Sequence, residues 1–191
     1  MSDLKDEVYI SVDVEASGPI PGQYSLLSIG ACVVRKPSVQ FYVELQPISD
    51  NAVPDALAVS GLSLAELERR GRSPKRAMQD FSDWIETACG PGTPVFVGFN
   101  ACFDWSFVNW YFHHFLGRNP FGIGGIDIKG YYMGRVNCRW TETTSSQLPP
   151  NLQPQKPLTH NALADAIAQG DIFRRLLDSG VAPNNPRRQK P

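Results

Sequence analysis

Three segments near the start of the chain alternate apolar and polar residues with the two-residue period of a β-strand. They cover residues 8–16, 25–35 and 39–48, and valine and isoleucine are frequent in the first. The sequence Lys-Pro-Ser at residues 36–38 predicts a turn between the second and third segments. Because so short a connection joins antiparallel strands, the pattern predicts an antiparallel meander.

The pattern then changes to the spacing of amphipathic helices. Ser63 and Glu66 form the signature of a capping box, and Ser73 followed by Pro74 marks a second helix start. Apolar residues recur at helical spacing after Pro74 until Gly90 ends the run. The remaining predicted elements are a buried strand at 94–99, a helix at 102–116, a short strand at 126–128 and a helix at 162–177.

Two segments fall outside this succession of strands and helices. Residues 141–157 contain four prolines and many polar side chains, which predicts a mobile loop just before the last helix. Residues 182–191 are basic and rich in proline, which predicts a disordered tail. Residues 1–181 are therefore expected to form one domain, which is large enough for a single hydrophobic core.

Composition narrows the class of protein. Hydrophobic residues at 42% and charged residues at 19% are ordinary globular values, and they exclude wholesale disorder. The formal net charge of −1 gives no general attraction for a polyanion, so a nucleic-acid partner would need local positive charge or bound cations. The cysteines form no Cys-x-x-Cys pair, which argues against zinc. No apolar leader or membrane span is visible, so a cytoplasmic protein is expected.

An acid pair in the first strand suggests the chemistry. Asp13 and Glu15 are two residues apart, so their side chains project from the same face of the strand. They could be solvated surface acids, but the valines and isoleucine around them indicate a largely buried strand. Adjacent carboxylates in such a place repel each other unless a cation neutralises them, and Mg²⁺ or Mn²⁺ suits oxygen ligands. The pair therefore predicts a metal site.

Two later segments supply two more acids and a histidine. Asp104 opens the helix after the fourth strand, where taken alone it would be a helix-terminus residue. His160 and Asp165 would face about 140° apart on one regular helix. Asn161 is a good N-cap, so the helix is expected to begin just after it and to leave His160 in the preceding loop. A loop histidine can reach metals held by Asp165, although taken alone it would be an ordinary polar residue.

In order and spacing, these segments resemble the three motifs of the DnaQ-like exonuclease family, which includes RNase T and the epsilon subunit of DNA polymerase III. The histidine places the resemblance in the histidine-containing (DEDDh) branch, and it extends over residues 8–177. It implies a ribonuclease H-like α/β fold, with a mixed central sheet of about five strands, the first three antiparallel, flanked by helices. It also implies that Asp13, Glu15, Asp104 and Asp165 hold two divalent cations, that Glu15 is catalytic as well, and that His160 deprotonates the attacking water.

The resemblance further implies where the substrate binds. Ser17 and Gly18 follow the acid pair, where family members approach the 3′-terminal nucleotide with backbone and small side chains. Residues 19–24 either shape a pocket for the terminal base or are ordinary loop packing. Asn100 either caps the following helix or helps to orient the site, and capping is the preferred interpretation. Phe103 is expected in the core.

Charged residues between the second and third motifs are open to two interpretations. Asp127 sits where the family often has another acid, and a structural role is expected for it. Lys129, Arg135 and Arg139 are either a basic rim for phosphate or scattered surface charge.

The combined pattern predicts a metal-dependent 3′-5′ exonuclease that releases nucleoside 5′-monophosphates from the 3′ end of single-stranded nucleic acid. RNA is favoured over DNA by analogy with stand-alone family members. The alternatives are a catalytically silent nucleic-acid-binding module and a proofreading subunit bound to a polymerase. The silent module is disfavoured because all four acids and the histidine are present.

The helix at 102–116 carries more apolar surface than one stripe requires. Trp105, Phe112 and Leu116 form a second apolar strip beside the face expected to cover the core. Either another part of the chain, such as residues 141–157, or a two-fold partner must cover it. Because stand-alone relatives are often dimers and aromatic residues suit such interfaces, a homodimer is the preferred interpretation.

Overall fold

A five-stranded sheet organises the computed structural model, which describes residues 6–154 and 160–179. The strands are β1 (Glu7–Ala16), β2 (Leu26–Val33), β3 (Lys36–Glu44), β4 (Thr93–Gly98) and β5 (Gly125–Asp127). They lie in the order β3-β2-β1-β4-β5, with antiparallel pairing from β3 to β1 and parallel pairing from β1 to β5. The mixed sheet with its antiparallel meander confirms the predicted ribonuclease H-like fold class.

Six α-helices and one 3-10 helix surround the sheet in the part of the chain that the structure describes. They are α1 (Pro54–Ser60), α2 (Leu64–Arg70), α3 (Pro74–Cys89), α4 (Cys102–Leu116), α5 (Ile128–Val136), the 3-10 helix (Trp140–Thr143) and α6 (Ala162–Asp178). The predicted cap of α2 is present, since the Ser63 side chain accepts a hydrogen bond from the Glu66 amide at 3.4 Å. The sequence pattern missed the short helices α1 and α5.

The turn between β2 and β3 lies earlier than predicted. The turn residues are Val34 and Arg35, and β3 already begins at Lys36, which pairs with Val33. Pro37 therefore lies inside a strand. It is tolerated there because β3 is an edge strand, in which proline is not required to donate a hydrogen bond to a neighbour on its outer side.

Helices cover both faces of the sheet. On one face, α3 and α4 pack against Ile10, Val12 and Val14 of β1. On the other face lies α6, whose residues Ile172, Phe173 and Leu176 join a second core with Val97 of β4. The result is a sheet between two helical layers, with β1 at its centre.

Helix α6 lies unusually close to the sheet because two glycines leave room for it. A Cβ atom on Gly30 of β2 would lie 2.1 Å from the carbonyl carbon of Ala162, and one on Gly170 would lie 3.0 Å from the Ser11 Cβ. Larger side chains at these positions would push the helix away. The close approach brings the start of α6 to the end of β1, where the acid pair lies.

The second apolar strip of α4 is covered by the chain itself. Phe112 is fully buried and stacks on Phe81 of α3 with ring centroids 5.6 Å apart, while Trp105 packs edge to face on Phe96 of β4 at 5.2 Å. The argument that a partner must cover this strip was therefore wrong. A homodimer stays a prediction, but the strip no longer supports it. Phe103 was also misplaced, since it is 36% exposed instead of lying in the core.

The segment predicted as a mobile loop is anchored over most of its length. Thr143, Leu148 and Leu152 are buried, and both leucines pack in the α6-side core. Residues 155–157 of that segment, like the predicted tail at 182–191, lie outside the described residues. No helix in the described ranges is long and apolar enough to cross a membrane.

Candidate active site

The acid pair lies near the carboxyl end of the central strand. Alternate residues of β1 point in opposite directions, so Val12 and Val14 are buried in the α4-side core while Asp13 and Glu15 face α6. Burial raises the pKa of Asp13 well above its usual range, and the charges of Asp104, Glu15 and Asp165 raise it further. The pair is therefore held in an environment that disfavours its negative charge.

Asp104 joins the pair from the first turn of α4. It is 5% exposed, and its Oδ1 accepts a hydrogen bond from the Val14 amide at 3.0 Å, between the two acids of β1. Burial raises the pKa of Asp104, with smaller contributions from the charges of Glu15 and Asp127. The hydrogen bond to Val14 fixes the third carboxylate beside the first two.

The start of α4 is held in place by Asp127. Its Oδ2 accepts from the Ala101 amide at 2.6 Å, and its Oδ1 accepts from the Gly130 amide at 2.7 Å. One carboxylate thus ties the first turn of α4 to the first turn of α5, which agrees with the structural role expected for it. The sequence predicted that Asn100 caps α4. The N-cap is instead Ala101. Asn100 is exposed with φ 65°, a left-handed conformation that asparagine tolerates.

The third motif has the arrangement that its N-cap predicted. The Asn161 side chain accepts a hydrogen bond from the Ala164 amide at 3.1 Å, and α6 begins at Ala162. His160 lies in the preceding loop with φ 54°, and its backbone amide donates to Oδ2 of Asp165 at 2.9 Å. The Asp165 carboxylate thus orders the loop that carries the histidine.

Three of the five predicted site residues have side-chain atoms close enough together to share a metal ion. One ligand atom each from Glu15, His160 and Asp165 lie within 4.8 Å of one another, a spacing that could hold a metal ion. Burial and the charge of Asp165 raise the pKa of Glu15 to about 7. A divalent cation relieves this repulsion, and carboxylate and imidazole donors are suitable ligands for it. The donor set and its electrostatics therefore fit a divalent cation.

Gln169 is a residue of the site that the sequence did not reveal. It is 4% exposed, donates from Nε2 to the Val12 carbonyl at 2.8 Å and accepts at Oε1 from the Phe99 amide at 2.6 Å. It therefore connects α6 to β1 and to the end of β4. Its position four residues after Asp165, on the same helix face, was the available signal, but a glutamine at that spacing has many ordinary uses.

Ser17 and Gly18, the predicted substrate contacts, are both buried and make packing contacts inside the protein. The fully buried Ser17 hydroxyl donates to the Asn51 carbonyl at 2.7 Å and accepts from the Ser25 amide at 2.9 Å. A Cβ atom on Gly18 would lie 2.3 Å from the Tyr24 ring. The Ser17 hydroxyl is thus committed inside the protein and has no free donor for a nucleotide.

Known proteins resemble the chain in sequence and in fold. No family model matches it. The 3′-5′ DNA exonuclease Cap18 of Escherichia coli is 51% identical over 169 residues, which cover 88% of this chain and 90% of that protein. A 3′-exonuclease that recognises the histone mRNA stem-loop superimposes with a TM-score of 0.73 at 15% identity, over 94% of this chain and 67% of its own. Escherichia coli exonuclease I bound to a dT13 oligonucleotide superimposes with a TM-score of 0.67 at 15% identity, over 91% of this chain and 43% of its own.

The fold neighbours, both of them exonucleases, share the mixed sheet and flanking helices of this chain. The identity to the curated relative settles the family. The chain belongs to the DnaQ-like 3′-5′ exonuclease family, and it is an enzyme that acts on nucleic acid.

Proposed function

We propose that the enzyme hydrolyses single-stranded DNA from its 3′ end and releases nucleoside 5′-monophosphates, with two Mg²⁺ or Mn²⁺ ions held by Asp13, Glu15, Asp104 and Asp165. The observation that carries this proposal is the convergence of Glu15, His160 and Asp165 within 4.8 Å, beside the half-buried Asp13 and the buried Asp104. The pKa values of Asp13, Glu15 and Asp104 are raised, and bound cations would favour the ionised form of these three carboxylates.

The choice of DNA rests on the relative that is 51% identical, which is named a DNA exonuclease. The sequence alone favoured RNA, by analogy with stand-alone family members. A relative of that identity over most of the chain is a better guide than the family at large, so the proposal moves to DNA. The preference for single strands agrees with the neighbour that binds a dT13 oligonucleotide.

The proposed division of labour follows from the positions of the side chains. The carboxylates bind the cations in their deprotonated form, so binding must release the protons that their raised pKa values retain. Divalent cations bound there would polarise the scissile phosphate and acidify the attacking water. His160 lies exposed at the edge of this group, where its imidazole can accept the proton of that water. Asn100, exposed where β4 meets α4, and Gly18 remain proposed contacts of the terminal nucleotide.

The test compares 5′-labelled single strands of DNA and RNA with the same sequence, each with Mn²⁺, with Mg²⁺ and with a chelator. We expect a ladder that shortens from the 3′ end, faster for DNA, and no reaction with the chelator. Asp104→Asn is the inactive control. Faster degradation of RNA would overturn the substrate assignment, and internal cuts in place of a ladder would overturn the exonuclease mechanism.

A further inference from the structure

Most arginines of the described residues are neutralised by an acid, but the cations after β5 are not. Ion pairs link an aspartate or glutamate to Arg35, Arg70, Arg72, Arg76, Arg118, Arg174 and Arg175. Among the described residues, no carboxylate lies within ion-pair distance of Lys129, Arg135 or Arg139. Glu142 is the acid of this segment, and its carboxylate accepts from the Arg139 backbone amide at 2.6 Å. Against three cations, this one acid leaves residues 128–144 with a net positive charge.

An exposed tryptophan lies among these cations. Trp140 is 50% exposed, and Lys129 Nζ lies 3.9 Å from the centre of its ring. Arg139 is exposed next to it, whereas Arg135 is held by the Tyr131 hydroxyl at 2.8 Å. The ammonium lies over one face of the indole. The opposite face is a flat surface for a base, and the ammonium and the guanidinium are charges for the adjoining phosphates.

This surface adjoins the active site at both of its ends. Lys129 follows Asp127 by two residues, and Asp127 holds the helix start that carries Asp104. On the other side, Ser145 lines a small cavity together with Asp13 and Asp165. Ser145 follows Trp140 by five residues, so their Cα atoms are at most about 18 Å apart. A strand with its 3′ end at the acids can therefore reach Trp140 within a few nucleotides.

We propose that Lys129, Arg139 and Trp140 form a strand-binding surface that holds nucleotides upstream of the 3′ end, with a base stacked on Trp140 and phosphates beside the two cations. The proposal rests on the proposed function, because it assigns the surface to the same single-stranded substrate. The occupant is a single strand and not a duplex, because stacking on the indole requires an unpaired base.

Binding tests the surface without hydrolysis. Fluorescence anisotropy of a labelled oligothymidylate of about 12 nucleotides, in chelator, compares the parent with Trp140→Ala and Lys129→Ala. We expect Trp140→Ala to weaken binding about tenfold, as for the loss of one stacked base. Lys129→Ala should also reduce the slope of log affinity against log salt by about 0.7. The matched controls are Ile123→Ala and Lys36→Ala, and neither should change binding. Ile123 is 98% exposed. Lys36 is the first residue of β3 and pairs with Val33, at the end of β2 that lies away from the acid pair.

Kinetic measurements then distinguish loss of a strand-binding contact from distortion of the active site by the substitution. With Mn²⁺, Trp140→Ala should raise KM for the oligonucleotide and leave turnover of a p-nitrophenyl ester of thymidine 5′-monophosphate unchanged, since that ester is too short to reach the surface. Unchanged oligonucleotide binding by both variants would overturn the proposal, and so would an equal loss on the ester. Failure of the parent enzyme to cleave either substrate would count against the proposed function, while the anisotropy result would still decide the surface.

Discussion

At the scale of single residues, the carboxylates of the site oppose folding of the metal-free protein. The pKa of Glu15 is raised from 4.5 to about 7 in the folded state by burial and by the charge of Asp165. A group whose pKa is higher when folded favours folding fully below its unfolded pKa, and this contribution is lost as the pH rises through the folded value. The metal-free protein should thus lose stability across neutral pH.

Thermal unfolding in chelator measures this effect. Between pH 6 and pH 8, where ordinary carboxylates no longer titrate, we expect Tm to fall by about 2–6 °C, equivalent to roughly 1–2 kcal/mol after allowance for partial exposure. Mn²⁺ at pH 8 should reverse the fall, and Glu15→Gln should make it smaller, because Asp13 and Asp104, whose pKa values are also raised, still contribute. A Tm that rises with pH in chelator would contradict this account of the acids.

Neutralising one acid should separate stability from activity. At a pH high enough to ionise Asp13 in the parent, Asp13→Asn removes a carboxylate whose charge is disfavoured by burial and by its acidic neighbours, so Tm in chelator should rise by a few degrees. Hydrolysis with Mn²⁺ should fall at least about 100-fold because a cation ligand is weakened. Asp50→Asn, at an exposed loop position, is the control for both measurements. Parent-like turnover by Asp13→Asn would remove this residue from the catalytic site.

His160 has two possible roles that one variant can distinguish. As the proton acceptor, its loss in His160→Ala should reduce turnover by about 10²–10⁴-fold while Mn²⁺ affinity is retained. Its ring nitrogens also lie close enough to Glu15 and Asp165 to bind a cation. Calorimetric titration of the variant with Mn²⁺ decides between them, because a lost binding event would make His160 a ligand.

At the scale of elements, Gln169 connects α6 and β1, which both carry acids of the site, to the end of β4. Replacing it with leucine leaves the Val12 carbonyl and the Phe99 amide without their partner, and each unsatisfied buried group costs about 1–3 kcal/mol. We expect Gln169→Leu to lower the free energy of unfolding by about 2–4 kcal/mol and to weaken Mn²⁺ binding. Gln79→Leu, which loses only a bond to Asp83 within α3, should cost under about 0.5 kcal/mol. Equal losses of unfolding free energy in the two variants would show that the hydrogen bonds of Gln169 to β1 and to the end of β4 do not stabilise the fold.

The elements that the sequence predicted well have strong local signals. Asn161 located the start of α6 and therefore the place of His160, and Ser63 located α2, because caps act within one turn. Helix α5 was missed because glycines at 130 and 134 interrupt its apolar pattern. The β2–β3 turn was misplaced because Pro37 indicates a turn locally, while its tolerance in β3 depends on that strand lying at the edge of the sheet.

At the scale of the whole molecule, long-range packing decided what the sequence could not. Four acids and a histidine could be chosen from their order. The burial of the Ser17 hydroxyl could not, because it depends on hydrogen bonds to Ser25, 8 residues away, and to Asn51, 34 residues away. The second strip of α4 was covered in the same way, by Phe81 and Phe96. Such contacts depend on the tertiary fold and leave no periodic trace in the sequence.

The charge of the whole molecule predicts a small footprint on its substrate. With a net charge of −1 and most surface arginines paired with acids, few phosphates can be neutralised at once. The log of kcat/KM for a single strand should therefore fall against log salt with a slope of about −1 to −2, at about 0.7 per phosphate contact. A slope steeper than about −5 would require an extended basic track that this arrangement does not provide.

The central claim is that the acids of β1, α4 and α6 form one divalent-cation site for hydrolysis, and calorimetric titration with Mn²⁺ tests it most directly. At neutral pH we expect two equivalents per chain, with release of protons that scales with the ionisation enthalpy of the buffer, because Asp13, Glu15 and Asp104 must ionise. Asp13→Asn should lose at least one binding event. Mn²⁺ binding that is absent in the parent, or unchanged in that variant, would contradict the account.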